Sequence, residues 1–287
     1  MSASQQEPLS KDVTLPNGLN MRYYQWPGEG PNLIFLHPSS GYGRMWDQTA
    51  PHLSGRMQVF ALDQRGHGDT GRPDGSYTAE EYAQDLHLFI TQLGLDKAIV
   101  AGHSLGGRVA QVFAAEHPEQ TQSIILVGGP HYSNFFQERH RADAVLQGAE
   151  RMRASQTHFA SEDEALSYFK AYRPTDSDDA LRHRIRYNCR PLPNRGLETS
   201  YDNVRVAQGL AHMADDLAVY ASRVRCPVAI IRGGGSTHLT QEEAHRLAAF
   251  WKDARVMEVD GDYTLEVENP EGLALAILDF CQATVSV

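Results

Sequence analysis

The chain has 287 residues, 41% of them hydrophobic, with 26 Lys and Arg against 36 Asp and Glu for a net charge of −10. That length allows one large α/β domain or two small ones with a sizeable core, and the acidity argues against nucleic acid or an anionic membrane as partner. No apolar run approaches the ~18 residues that span a bilayer, and the N-terminus shows no basic segment followed by an apolar one, so no signal peptide is expected. Cys189, Cys226 and Cys281 are odd in number, far apart and at neither metal nor disulfide spacing, which points to a reduced cytoplasm and to no metal.

Residues 11–15 and 19–25 alternate around Pro16-Asn17-Gly18, the pattern of a hairpin. Asn32 to Leu36 reads as a buried strand that runs into His37-Pro38-Ser39-Ser40-Gly41. Met57 to Leu62 is the next strand and leads into Asp63-Gln64-Arg65-Gly66-His67-Gly68. Thr78 and Glu81 predict a capping box at the head of a helix whose face is Tyr82, Leu86, Phe89 and Leu93. Ser123 to Val127 is another buried strand. From about Gly129 the alternation stops, and residues 131–222 are mostly helical by pattern and more polar. It resumes with a strand from Pro227 to Arg232, a helix capped by Thr240 and Glu243, a strand from Ala254 to Val259 and a final helix from Pro270 to Cys281. Strands alternating with helices predict a parallel sheet with right-handed crossovers. A helical stretch of about ninety residues interrupts it, which is either a lid over the C-terminal edge of the strands or an ordinary second helical layer.

The organising stretch is Ile99-Val100-Ala101-Gly102-His103-Ser104-Leu105-Gly106-Gly107. An apolar run ends in Gly-x-Ser-x-Gly, and Val109, Val112 and Phe113 follow at helical spacing. In that strand–turn–helix context Ser104 sits on a nucleophile elbow. The turn strains the serine backbone, so its neighbours must be small. The Leu105 N–H at the helix start then points to where a substrate oxyanion would form.

In their order and spacing these pieces resemble the α/β-hydrolase superfamily, in the branch with a helical cap after the sixth strand, over nearly the whole chain. His37-Pro38-Ser39 is similar to the oxyanion loop, Asp63 to Gly68 to the Asp-x-Arg-Gly-x-Gly turn, and Asn269-Pro270-Glu271 to the start of the last helix. The resemblance implies a mostly parallel central sheet with helices on both faces. It implies a core of residues 1–130 and 223–287, a cap of 131–222, and a small-molecule substrate handled without a cofactor. Pro38 has no N–H, so Ser39 is the expected second oxyanion donor beside Leu105. His37, His67 and His103 are expected to shape loops, His37 also bordering the substrate, and Asp63 and Arg65 to fix their turn.

The helpers of the serine depart from the pattern. A serine hydroxyl needs a base, itself oriented by an acid. The family's histidine position before Asn269-Pro270 is Tyr263, and no histidine occurs between 246 and 287. The acid's position after the strand ending at Arg232 is Ser236 or Thr237, and the loop Gly128-Gly129-Pro130-His131 holds no acid either. Three explanations compete: His238 or His131 has taken over as base; Tyr263 handles protons in a lyase, isomerase or cyclase reaction that needs no nucleophile; or the protein binds a ligand without turning it over. The expectation is an enzyme acting on a small, largely apolar carbonyl compound (ester, lactone or polyketide-like ketone). Phe135, Phe136, Phe169 and Tyr172 are wall residues or packing residues of the cap. The oligomeric state stays open.

Overall fold

A computed structural model of the chain describes residues 6–129, 142–193 and 196–284. β1 (Leu9–Thr14) and β2 (Asn20–Trp26) form the hairpin, with Val13 opposite Met21 and Gly18 in the left-handed region at the turn. β3 (Asn32–Leu36), β4 (Gln58–Leu62), β5 (Ala98–His103), β6 (Thr121–Val127), β10 (Val228–Gly233) and β11 (Ala254–Val259) complete an eight-stranded sheet. Its order is β1-β2-β4-β3-β5-β6-β10-β11. All pairs from β4 to β11 are parallel, while β2 meets β4 antiparallel. β5 therefore ends at the middle of the sheet, and the loops after β3, β6, β10 and β11 converge on that edge.

The central strands bury both faces, as expected where helices cover a parallel sheet. Ile34, Val100, Ile124 and Ile230 point into one core with α1 (Ala79–Gln92), α2 (Leu105–Glu116) and α8 (Gln241–Ala248). Phe35, Ile99, Ile125 and Ile231 point into the other with Trp46 and α10 (Pro270–Thr284). Each such side chain contributes about 1.5–3 kcal/mol, so the strand ends that carry the candidate site rest on a well-buried platform. The Thr240–Glu243 capping box is formed in both directions. At Thr78 the side chain accepts from the Glu81 N–H, but Glu81 turns its carboxylate to Arg65.

Between β6 and β10 lie α3 (Ala142–Arg153), α4 (Glu162–Tyr172), α5 (Asp178–Asn188), α6 (Asn203–Ala211) and α7 (Ala218–Ala221). A three-stranded antiparallel sheet accompanies them, with β9 (Leu197–Thr199) between β7 (His158–Phe159) and β8 (Cys189–Pro191). The sequence pattern did not predict this small sheet, because strands of two or three residues are too short to show alternation. The inserted segment docks on the loops after β3 and β4. Arg184 and Asn188 donate to the Ser40 carbonyl (3.2 and 3.1 Å), the Asp202 N–H donates to the Gly66 carbonyl (3.0 Å), and Arg72 reaches the Ser200 carbonyl (3.1 Å). From α2, the buried Arg108 donates to the carbonyls of His212 and Asp215 (3.1 and 2.8 Å).

Candidate active site

Ser104 joins β5 to α2 at φ 52°, ψ −108°, a conformation that costs a non-glycine residue about 1–3 kcal/mol. Its neighbours explain how it persists. A side chain at Gly102 would meet the Gly106 carbonyl carbon at 2.1 Å, and one at Gly106 would meet the Leu36 carbonyl oxygen at 2.3 Å. The strand and helix can close this tightly only because both positions lack a Cβ. Ser104 thereby stands at the head of α2, and Leu105, the first helical residue, has an N–H with no intrahelical acceptor. Neither the Leu105 N–H nor the Ser39 N–H donates to any chain group among the described residues.

The loops after β3 and β4 are fixed by two histidines. The Gln64 N–H donates to His37 Nε2 (3.0 Å), so the ring proton sits on Nδ1, which donates to the Pro38 carbonyl (2.8 Å). The Ser40 N–H likewise donates to His67 Nε2 (3.1 Å), and His67 Nδ1 donates to the Arg65 carbonyl (2.9 Å). Both rings are fully buried. Burial, helped by the neighbouring His67, holds His37 well below the usual histidine range, and burial brings His67 down to about 4. His37 thus has no ring nitrogen left to offer a ligand, and its fully buried ring ties the loop after β3 to the loop after β4 instead of bordering open space. Asp63 accepts from the N–H groups of Gly43 (2.6 Å) and Asp69 (3.0 Å), and burial pushes its carboxyl up to about 6. Arg65 grips Asp85 with two bonds, at 2.6 and 2.8 Å.

On the other side of Ser104 the loops after β10 and β11 meet. Tyr263 lies edge-on to His103 (ring centroids 4.6 Å, 66°) and stacks on His238 (4.3 Å, 27°). Gly128, at the end of β6, leaves room for this: a Cβ there would come within 3.1 Å of the Tyr263 ring and 3.3 Å of His103. Arg232 ties down the loop that carries His238, donating to the carbonyls of Leu239 (2.9 Å), Gly234 (3.2 Å) and Ser236 (3.4 Å). Ser236, one of the two positions at which the resemblance leads one to expect the acid, is buried and its hydroxyl accepts the His238 N–H (3.1 Å). It shapes a turn. The Tyr263 loop is clamped by Glu268, which accepts from the Thr264 hydroxyl (2.7 Å) and the N–H groups of Asp262 and Thr264.

The sequence reading did not anticipate the partner of His103. Its Nδ1 lies 2.8 Å from Glu266 Oε1, both side chains are 0% exposed, and His103 Nε2 and Glu266 Oε2 have no hydrogen-bond partner among the described residues. The available signal was spacing: Glu266 follows Tyr263 by three residues and is the second residue of α9 (Leu265–Glu268). Of the other expected site residues, His131, Phe135 and Phe136 lie outside the described residues. Phe169 packs against Phe159, Ala165, Leu181 and Ile185 and Tyr172 is largely exposed, and both line a cavity that also takes in Ser40 and Arg184. Among the described residues no group of three or more His, Cys, Asp or Glu could hold a metal ion, and no helix is long and apolar enough to cross a membrane.

This arrangement of strained serine, open N–H donors and flanking loops agrees with a family model described as alpha/beta hydrolase fold, which matches residues 31–263. The chain belongs to the α/β-hydrolase family. It is 28% identical over 257 residues to the 2-(acetamidomethylene)succinate hydrolase of Mesorhizobium japonicum, covering 89% of this chain and 90% of the relative. It is 26% identical over 253 residues to an esterase of Mycobacterium tuberculosis, covering 87% and 82%. Among solved structures, E-2-(acetamidomethylene)succinate hydrolase superposes with a TM-score of 0.83 at 27% identity, covering 95% of this chain and 98% of that one. The protein is accordingly an enzyme of the α/β-hydrolase family.

Proposed function

We propose that the enzyme works on the carbonyl group of a small molecule such as an ester or lactone. Ser104 is the reacting centre, the N–H groups of Leu105 and Ser39 receive the oxyanion, and Tyr263 with His238 handles the proton in place of an imidazole–carboxylate pair. The inserted segment from α3 to α7 serves as the cap over this site. The observation that carries the reading is the strained Ser104 at a helix head, followed directly by a Leu105 N–H that no described residue engages. Such donors act where charge develops in the transition state. In the nucleophilic form, the Ser104 oxygen bonds to the carbonyl carbon. Its proton passes to the Tyr263–His238 pair and is returned to the leaving oxygen, and water then releases the acyl group. The free cysteines fit a reduced cytoplasm: burial pushes all three thiols up to about 12.

The second reading is a lyase, isomerase or cyclase that uses the same oxyanion site with Tyr263 as proton donor and no covalent step. The substitution of Tyr263 for the family's histidine favours it. A fluorophosphonate probe separates the two. The expected result is stoichiometric labelling of Ser104 by intact mass, absent in Ser104→Ala, with carbonyl-substrate turnover falling by about 10⁴-fold or more in that variant. No labelling, together with turnover that survives Ser104→Ala, overturns the nucleophilic reading.

A further inference from the structure

α5 places an arginine where an amphipathic helix puts its core face. Leu181, Arg184, Ile185 and Asn188 are its buried positions, at i, i+3, i+4 and i+7. Arg184 is only 8% exposed. Among the described residues its guanidinium makes one hydrogen bond, from Nη1 to the Ser40 carbonyl, and it lies 5.5 Å from the Tyr42 ring centroid and 5.9 Å from that of Phe169. No carboxylate among the described residues pairs with it within 4.0 Å. Arginine has five N–H donors and cannot lose its charge within a protein, and a buried charge without a partner is costly. The sign of the surroundings deepens the deficit: burial, then the nearby Arg173, lower its affinity for its proton.

A cavity of about 240 Å³ lies against this group, lined also by Ser40, Arg151, Arg173, Tyr168 and Tyr201. Arg173 is held by Asp176 (2.5 Å) and also feels the charge of Glu266, and Arg151 has no ion pair among the described residues. Arg151, Arg173 and Arg184 line the cavity and no carboxylate among the described residues does, which leaves it positive within a chain whose net charge is −10. Ser40 joins the cavity to the reaction centre, being the residue next to the Ser39 donor.

We infer that the substrate of Ser104 carries a carboxylate, which enters this cavity and supplies the missing counter-charge to Arg184, with Arg151 at the mouth. The planar guanidinium matches a carboxylate with two parallel bonds. The inference replaces the largely apolar substrate expected from the sequence. It rests on the proposed role of Ser104 for the word substrate, but the binding step does not depend on that role.

Succinate, its neutral diamide succinamide and inorganic phosphate serve as probes, titrated calorimetrically into the full-length protein. Saturable succinate binding, at least tenfold tighter than either other probe, is expected. Arg184→Gln should weaken it tenfold or more and Arg151→Gln about threefold. Equal binding of succinate and succinamide, or no saturable binding, overturns the proposal, and tighter binding of phosphate overturns the carboxylate class. A folded Arg184→Gln that binds succinate as the parent does also overturns it. If that variant does not fold, unchanged binding in the exposed Arg151→Gln decides against it. Fluorophosphonate labelling of Ser104 that succinate does not slow would sink this inference and leave the proposed function standing. Succinate binding without labelling would do the reverse.

Discussion

On one side of Ser104, the loops after β3 and β4 hold His37 and His67 with every ring nitrogen bonded to backbone. On the other, the structure buries His103 and Glu266 with one polar atom of each unmatched, beside Tyr263 and His238 in an aromatic stack. An unmatched buried polar atom costs about 1–3 kcal/mol. On the first side the histidines are fully used, and the buried atoms without a partner among the described residues are the neutral Ser39 Oγ and Gln64 Oε1. On the second, the unmatched atoms belong to an imidazole and to the carboxylate bonded to it. The expectation from the sequence divides along the same line, with motif residues on the first side and departures at Tyr263 and at Ser236 or Thr237 on the second.

Tyr263→Phe is the sharpest way to break this contrast. It keeps the ring between His103 and His238 and removes only the hydroxyl. Under the proposed role, kcat falls by about 10²–10⁴-fold while circular dichroism and the melting temperature stay put. A kcat within threefold of the parent would leave the second side without a proton handler.

Ser39→Pro addresses the first side by deleting one backbone donor. A loss of about 10²–10³-fold in kcat is expected, against near-parent activity for Ser39→Ala, which keeps the N–H. Equal kcat in the two variants would remove Ser39 from the oxyanion site.

The smallest effect is on stability. His37 and His67 are held below their unfolded value of ~6.5, so their contribution is complete above that pH. It is lost as pH falls toward about 4, the folded value of His67. Asp63, pushed up to about 6, opposes this between 3.8 and 6, but one group opposes two. Thermal unfolding between pH 4.5 and 7.5 should therefore show the melting temperature falling on acidification. His67→Gln should flatten that slope by up to ~1.4 kcal/mol per pH unit. An unchanged slope would mean that His67 is not buried neutral.

Much of the first side was legible because its signals are local. Gly-x-Ser-x-Gly after a four-residue apolar run fixes a turn within ten residues, and the β5–α2 elbow forms where that run ends. The helix caps at Thr240 and Ser104's small neighbours follow from spacing of three or four. What stayed illegible depends on meetings across the fold. His103 and Glu266 are 163 residues apart, and nothing in either segment names the other. Arg184 and Ser40 are separated by 144, although an arginine at an inward position of α5 was a readable anomaly. The short strands β7, β8 and β9 gain their hydrogen bonds from tertiary placement, not from their own sequence.

The Ser40 carbonyl accepts from both Arg184 and Asn188, while its N–H donates to His67 and its backbone sits at φ 56°. One peptide unit is thereby gripped from the inserted helix and from the sheet at once. Any molecule that draws the guanidinium away from that oxygen loosens half of the grip, one residue from the Ser39 amide. Recognition at a distance and alignment at the serine would then share a single hinge, so that reach, rather than charge alone, sorts good substrates from poor ones.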